Sequence, residues 1–84
     1  MKKIINGKKY DTDTAFLRVE LNDRYGIACE RLYQKTNGEF FLVKLHYCFD
    51  EYEVYPLTEH DARNWAEENI TVDRYESIFG KVEE

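Results

Sequence analysis

The stretch ACERLYQKTNGEFFLVKLHYCF, residues 28–49, decides the fold. Thr36-Asn37-Gly38 interrupts two runs rich in β-forming residues, and Asn-Gly is a strong turn signal because both positions tolerate positive φ. Beyond the turn, Phe41, Val43, Leu45, Tyr47 and Phe49 alternate onto one side of a strand, which makes this run the best core candidate. Phe40 and Leu42 lie on its other side, followed by Lys44 and His46, so one end of the second face is expected to be covered too.

Upstream, AFLRVEL (15–21) repeats the period-two pattern, with Ala15, Leu17, Val19 and Leu21 on one side and Arg18 and Glu20 on the other; Phe16 breaks the polar face. NDRYG, residues 22–26, is a loop. At the start, Asn6-Gly7 between KKII and KKYD predicts a hairpin. Downstream, EYEVYP (51–56) reads as a further strand, ended by Pro56, which lacks a ladder donor.

Two helices follow. Thr58 is a good N-cap, Asp61 stands at N3, and Leu57 can staple against Ala62. The stripe Ala62, Trp65, Ala66 then predicts that Trp65 anchors this helix on the sheet. A second cap, Thr71, with Asp73 in the first turn, opens a helix whose Val72, Tyr75, Ile78 and Phe79 face inward and which Gly80 ends. The sum is a single α+β domain over residues 1–84: an antiparallel sheet of about four to six strands with two C-terminal helices packed on one face.

Eighty-four residues bury a small core, yet a composition that is 15% aromatic gives each buried position a large apolar area. The chain is therefore expected to fold alone, with only the residues from Lys81 onward fitting a disordered reading. MKKIINGKKYD has two consecutive apolar residues after its basic opening, so neither a secretory signal nor a membrane span is expected, and the cytosol is the expected compartment. Cys29 and Cys48 stand far apart and read as two reduced thiols. His46 and Cys48 would share a strand face, but no second ligand pair follows and His60 lies on another element, so no metal and no cofactor are expected.

Charge divides the chain. Residues 1–49 carry nine Lys and Arg against six Asp and Glu, whereas residues 50–84 carry three against eleven, within a total of -5. Glu59 and Glu67 each stand four residues from Arg63 and can pair with it, so part of this charge is satisfied internally. The rest reads either as a solvated helical face that keeps the protein soluble, or as a surface steered toward a basic, nucleic-acid-binding groove. On the second reading the candidate partner contacts are Asp50, Glu51 and Glu53 before the helices and Glu67, Glu68, Asp73 and Glu76 within them.

No Ser/His/Asp set, glycine-rich phosphate loop or HExxH appears, and His60 reads as an exposed polar residue. The pairs Asp50-Glu51 and Glu67-Glu68 are adjacent in sequence, which points them to different sides of an element and away from a shared acid-base geometry, so no catalytic residue is expected. Direct nucleic-acid binding meets the negative net charge, and only Lys2, Lys3, Lys8 and Lys9 of the first hairpin could supply phosphate contacts.

MKKIINGKKYDTDTA, LYQKTNGEFFL, PLTEHDARNWAEE and YESIFGKVEE together resemble a family of small acidic proteins carried by plasmids, conjugative elements and phages of Firmicutes. Some of these are anti-CRISPR inhibitors of the type II effector nuclease, and others have no known role. Related chains carry a longer, glycine-rich connection between FFLV and YPLT, where this one has the compact KLHYCFDEYEV. The resemblance implies a mobile-element protein and, on the pattern of the anti-CRISPR members, a stoichiometric inhibitor of a CRISPR effector nuclease or its guide-RNA complex; the charge asymmetry, not the resemblance, adds the expectation of a DNA mimic acting through the acidic face. Two alternatives stand beside it. One is an interaction or regulatory protein using an aromatic patch, with Tyr25, Tyr52 and Tyr55 as candidates and a homodimer through a sheet edge as one form; the other is a small nucleic-acid binder using the N-terminal lysines.

Overall fold

The computed structural model describes residues 1–46 and 51–84; of the sequence expectations, Tyr47, Cys48, Phe49 and the candidate Asp50 lie outside the described residues. Strands β1 (Lys2–Ile5) and β2 (Lys8–Asp11) form a hairpin, and β3 (Phe16–Asn22), β4 (Ala28–Gln34), β5 (Phe40–His46) and β6 (Glu51–Leu57) form a four-stranded antiparallel sheet in chain order. Helices α1 (Glu59–Asn69) and α2 (Val72–Phe79) complete an α+β fold. Asn6 (φ 51°) and Gly7 (φ 78°) both take positive φ, as a two-residue turn matched to strand twist requires.

β5 sits inside the sheet and is covered on both faces, so Phe40, Phe41, Leu42 and Val43 are all buried rather than alternating in and out. On one face Phe41 stacks on Tyr33 at 5.3 Å and meets the edge of Tyr10, also at 5.3 Å, while Met1, Ile5 and Ala15 pack around them. The N-terminal hairpin thus closes this side. On the other face Val19, Leu32, Phe40 and Leu42 pack against Ala62, Trp65, Ile70, Ile78 and Phe79 of the helical segment, with the Phe40 and Phe79 rings 5.3 Å apart. The helices therefore lie on the Phe40/Leu42 face, and the run containing Phe41 and Val43 faces the hairpin. Three layers result: hairpin, sheet, helices.

Three sequence expectations need correction. Leu17 is 50% exposed and lies opposite Tyr33, whereas Val19 lies opposite Leu32, because a bulge between them adds a residue and reverses the alternation. Leu17 and Ala15 therefore belong to the hairpin side, Val19 and Leu21 to the helix side. Pro56 does not end β6, which runs on to Leu57; β6 is a sheet edge, where a missing donor need not interrupt the ladder. Val72 is 69% exposed rather than inward, and Trp65 is half-buried, while Ala62 and Ala66 have no exposed surface.

The helix starts follow from local chemistry. Thr58 Oγ1 accepts from the Asp61 N–H at 3.0 Å and Asp61 Oδ2 accepts from the Thr58 N–H at 3.4 Å, a reciprocal cap of which the Thr side chain alone contributes about 1 kcal/mol. Thr71 Oγ1 accepts from the Arg74 N–H at 3.3 Å, and Gly80 (φ 94°) closes α2. The Arg74 guanidinium reaches back to donate to the Arg18 carbonyl at 2.9 Å, which pins α2 to the bulged edge strand.

Candidate functional site

Glu67 and Glu68 are exposed near the end of α1, on turns whose other sides carry Trp65 and the buried Ala66. Neither forms an ion pair or side-chain hydrogen bond among the described residues. Arg63, one turn before Glu67, makes its close contacts elsewhere and attracts Glu67 only through space: its Nε lies 3.8 Å from Glu59, its Nη1 donates to the Tyr75 hydroxyl at 3.4 Å, and its guanidinium sits 5.0 Å from the centre of the Phe79 ring. The expected pair of Arg63 with Glu67 is thus replaced by contacts to α2. No basic residue stands in the last turn of α1. Two carboxylates at the negative end of a helix macrodipole work against helix stability by up to about 1 kcal/mol each, and the through-space attraction of Arg63 for Glu67 offsets only part of that cost.

Asp73 is exposed in the first turn of α2, where the macrodipole favours an acid. Glu76 is half-buried, and its Oε2 accepts from the Val82 N–H at 3.0 Å. Its carboxylate holds the C-terminal segment against α2, so it is committed within the chain. Glu51 and Glu53 lie opposite His46 and Lys44, on the sheet face that the helices cover further along. Glu53 meets His46 Nε2 at 3.3 Å and accepts from the Tyr55 hydroxyl, so neighbours on the same face partly answer its charge. Of the seven candidates, Glu51, Glu67, Glu68 and Asp73 form no ion pair or side-chain hydrogen bond among the described residues, and of these the last three lie on the helices.

The lysines lie on the far side of the sheet. Lys8 pairs with Glu39 at 2.6 Å, and this contact together with Asn37 holds the Glu39 carboxyl down at about 2. Lys2, Lys3 and Lys9 are exposed on the same hairpin. Basic hairpin and acidic helices therefore occupy opposite outer layers, separated by the sheet.

The aromatic alternative finds no common surface. Tyr52 lies opposite Leu45 and Tyr55 opposite Leu42, which puts them on opposite faces, and Tyr25 belongs to the turn before β4. Both sheet edges are also blunted. β6 carries Glu51, Glu53 and Pro56, and β3 is bulged with its Arg18 carbonyl already bonded. Cys29 is a half-buried free thiol whose Sγ lies 3.4 Å from the Leu21 carbonyl, and Cys48 lies outside the described residues. No group of three or more His, Cys, Asp or Glu suited to a metal occurs among the described residues. His60 is exposed and contacts Asn64 at 3.1 Å. No described helix is long and apolar enough to cross a membrane.

Sequence reading missed a hollow of about 200 Å³ where α1, α2 and the C-terminal segment meet, lined by Glu67, Ile70, Thr71, Val72, Tyr75 and Val82. It brings Glu67 together with the start of α2, next to Asp73 in sequence. Val72 and Val82 carried the only signal, as apolar residues beside acids, and a helical wheel had turned Val72 inward. Among protein families, curated proteins and solved structures the chain finds no match, so its function is argued from this surface and its chemistry.

Proposed function

We propose that this chain is a non-enzymatic protein inhibitor of the bacterial cytoplasm, whose acidic helical layer occupies a basic, nucleic-acid-binding groove of its target. The resemblance to small acidic mobile-element proteins makes a type II CRISPR effector nuclease, free or with its guide RNA, the first target to test. One observation carries the reading: Glu67 and Glu68 stand exposed and unpaired among the described residues at the wrong end of a helix dipole, on a helix whose opposite side is fixed to the sheet. Solubility requires charge but does not require charge at a position that weakens its own helix. Placement of Lys2, Lys3, Lys8 and Lys9 on the opposite layer adds support, because the largest cluster of basic residues then stands away from the acidic face.

The test is inhibition of DNA cleavage by a type II effector nuclease from a Firmicutes host, at low and at raised salt. A Glu67→Lys, Glu68→Lys variant should melt at or above the parent, since Lys suits the negative end of α1 where the two acids do not, and should inhibit far less, because reversing well-placed interfacial charges costs on the order of 2–5 kcal/mol. Changing Lys2, Lys3, Lys8 and Lys9 to Gln is the control and should leave inhibition intact. A folded glutamate variant that inhibits as well as the parent, beside a lysine variant that does not, would sink the proposal.

A further inference from the structure

The hollow at the junction of α1 and α2 has a make-up that a solvated helical face does not need. Its inner members are Tyr75, buried, and Ile70, half-buried; its outer members include Val72, 69% exposed, and Val82, 53% exposed. Two branched apolar side chains are left in water at one place. Val82 is held there rather than loose, because Gly80 turns the chain at φ 94° and the Val82 N–H is bonded to Glu76 at 3.0 Å. Among the described residues, Glu67 is the only charged one lining the hollow. No cation pairs with it at contact distance among the described residues: Arg63 attracts Glu67 only through space while its guanidinium is held by Glu59 and Tyr75, Arg74 donates to the Arg18 carbonyl, and Lys81 forms no ion pair.

We infer that this hollow is a docking pocket for one arginine side chain of a basic partner protein. Apolar walls with a single carboxylate match an arginine along its length: the methylene stem lies against Ile70, Val72 and Val82 while the guanidinium reaches Glu67. A purely aliphatic occupant would desolvate Glu67 without pairing it, and an acidic one would be repelled. Arginine suits the site better than lysine because its planar, weakly hydrated head binds a carboxylate through two parallel hydrogen bonds beside apolar surface. The inference rests on the reading that the target presents a basic protein surface, and it narrows that reading to a contact in which apolar burial and charge act together.

The probe is N-acetyl-arginine amide, titrated into the whole chain while the methyl NMR signals of Ile70, Val72 and Val82 are followed. Saturable shifts at these methyls are expected, with a dissociation constant of about 1–10 mM for a ligand of this size. N-acetyl-citrulline amide, similar in length but neutral, should bind about three- to tenfold more weakly, and Glu67→Gln should weaken the arginine probe by a similar factor. Shifts that stay linear to about ten times that concentration range, equal binding of citrulline, or no effect of Glu67→Gln in a variant that melts like the parent would each overturn the pocket. The nuclease assay separates this failure from that of the proposed function. A Val72→Ser, Val82→Ser variant keeps every acid: if it inhibits like the parent while Glu67→Lys, Glu68→Lys does not, the acidic layer stands and the arginine pocket falls. If the probe saturates the hollow and the glutamate variant still inhibits, the pocket stands and the proposed function falls.

Discussion

Replacing Trp65 with alanine tests how the helical layer is held. A fully buried Trp truncated to Ala costs about 3–5 kcal/mol, but Trp65 is only half-buried beside the Val19, Leu32, Phe40 and Leu42 cluster, so about half of that is at stake. Its Nε1 donates to Glu30 at 3.4 Å, a long bond at a partly wet site that adds little. The expected loss is about 2 kcal/mol, against a total stability of about 4–13 kcal/mol for a chain of 84 residues. For a domain of this size that lowers the melting temperature by about 8–16 °C. Circular dichroism melts of the parent, Trp65→Ala and Phe41→Ala decide the matter, with Phe41, which has no exposed surface, expected to cost about 3–5 kcal/mol. As the single Trp of the chain, Trp65 also reports α1 docking in the parent by its fluorescence, and that signal should change together with the melt. A Trp65→Ala melt within about 4 °C of the parent would mean that α1 does not rest on this ring. Complete unfolding would mean that the ring belongs to the core and is not half-buried at its margin.

The bulge in β3 makes Leu17→Ser nearly neutral, within about 0.5 kcal/mol, and Val19→Ser costly by about 2 kcal/mol or more; equal losses in urea titrations would restore the simple alternation. Ala62 has no exposed surface between α1 and the sheet, so Ala62→Leu should destabilise by about 1–3 kcal/mol through overpacking, read as a lower urea midpoint. Glu39 is held at about 2 instead of its ordinary 4.5, first by the Lys8 hydrogen bond and then by Asn37. A depressed carboxyl stabilises above its unfolded value and loses that contribution as pH falls from about 4.5 to about 2. Urea midpoints across that window should therefore fall more steeply for the parent than for Glu39→Gln, and parallel curves would refute the pair.

Much of the fold was legible because its signals are local. Asn6-Gly7 and Asn37-Gly38 placed two turns from the φ values those residues tolerate, and Thr58 with Asp61 placed the start of α1 within one turn of chain. Period-two alternation placed the strands and period 3.6 the helices. The candidate site was legible as composition: Glu67, Glu68 and Asp73 were singled out as acids beyond an apolar stripe, and they are exposed. Glu76 was singled out by the same rule and is instead committed to the Val82 N–H, because a helical wheel knows nothing of a chain that turns back at Gly80.

By itself, then, the sequence determined the elements, their order, the caps and the charge imbalance between its two halves. Tertiary structure alone decided which face of β5 the helices take, since Phe40/Leu42 and Phe41/Val43 are equally apolar and alternation along a strand names two faces without ranking them. It also decided the bulge that sends Leu17 and Val19 to opposite sides, the exposure of Val72, and the hollow that joins Glu67 to the start of α2. The placement of Lys2, Lys3, Lys8 and Lys9 in one outer layer and Glu67, Glu68 and Asp73 in the other has the same origin. Charge along a chain is one-dimensional, and only the docking of hairpin and helices on opposite faces of one sheet turns it into a two-sided molecule.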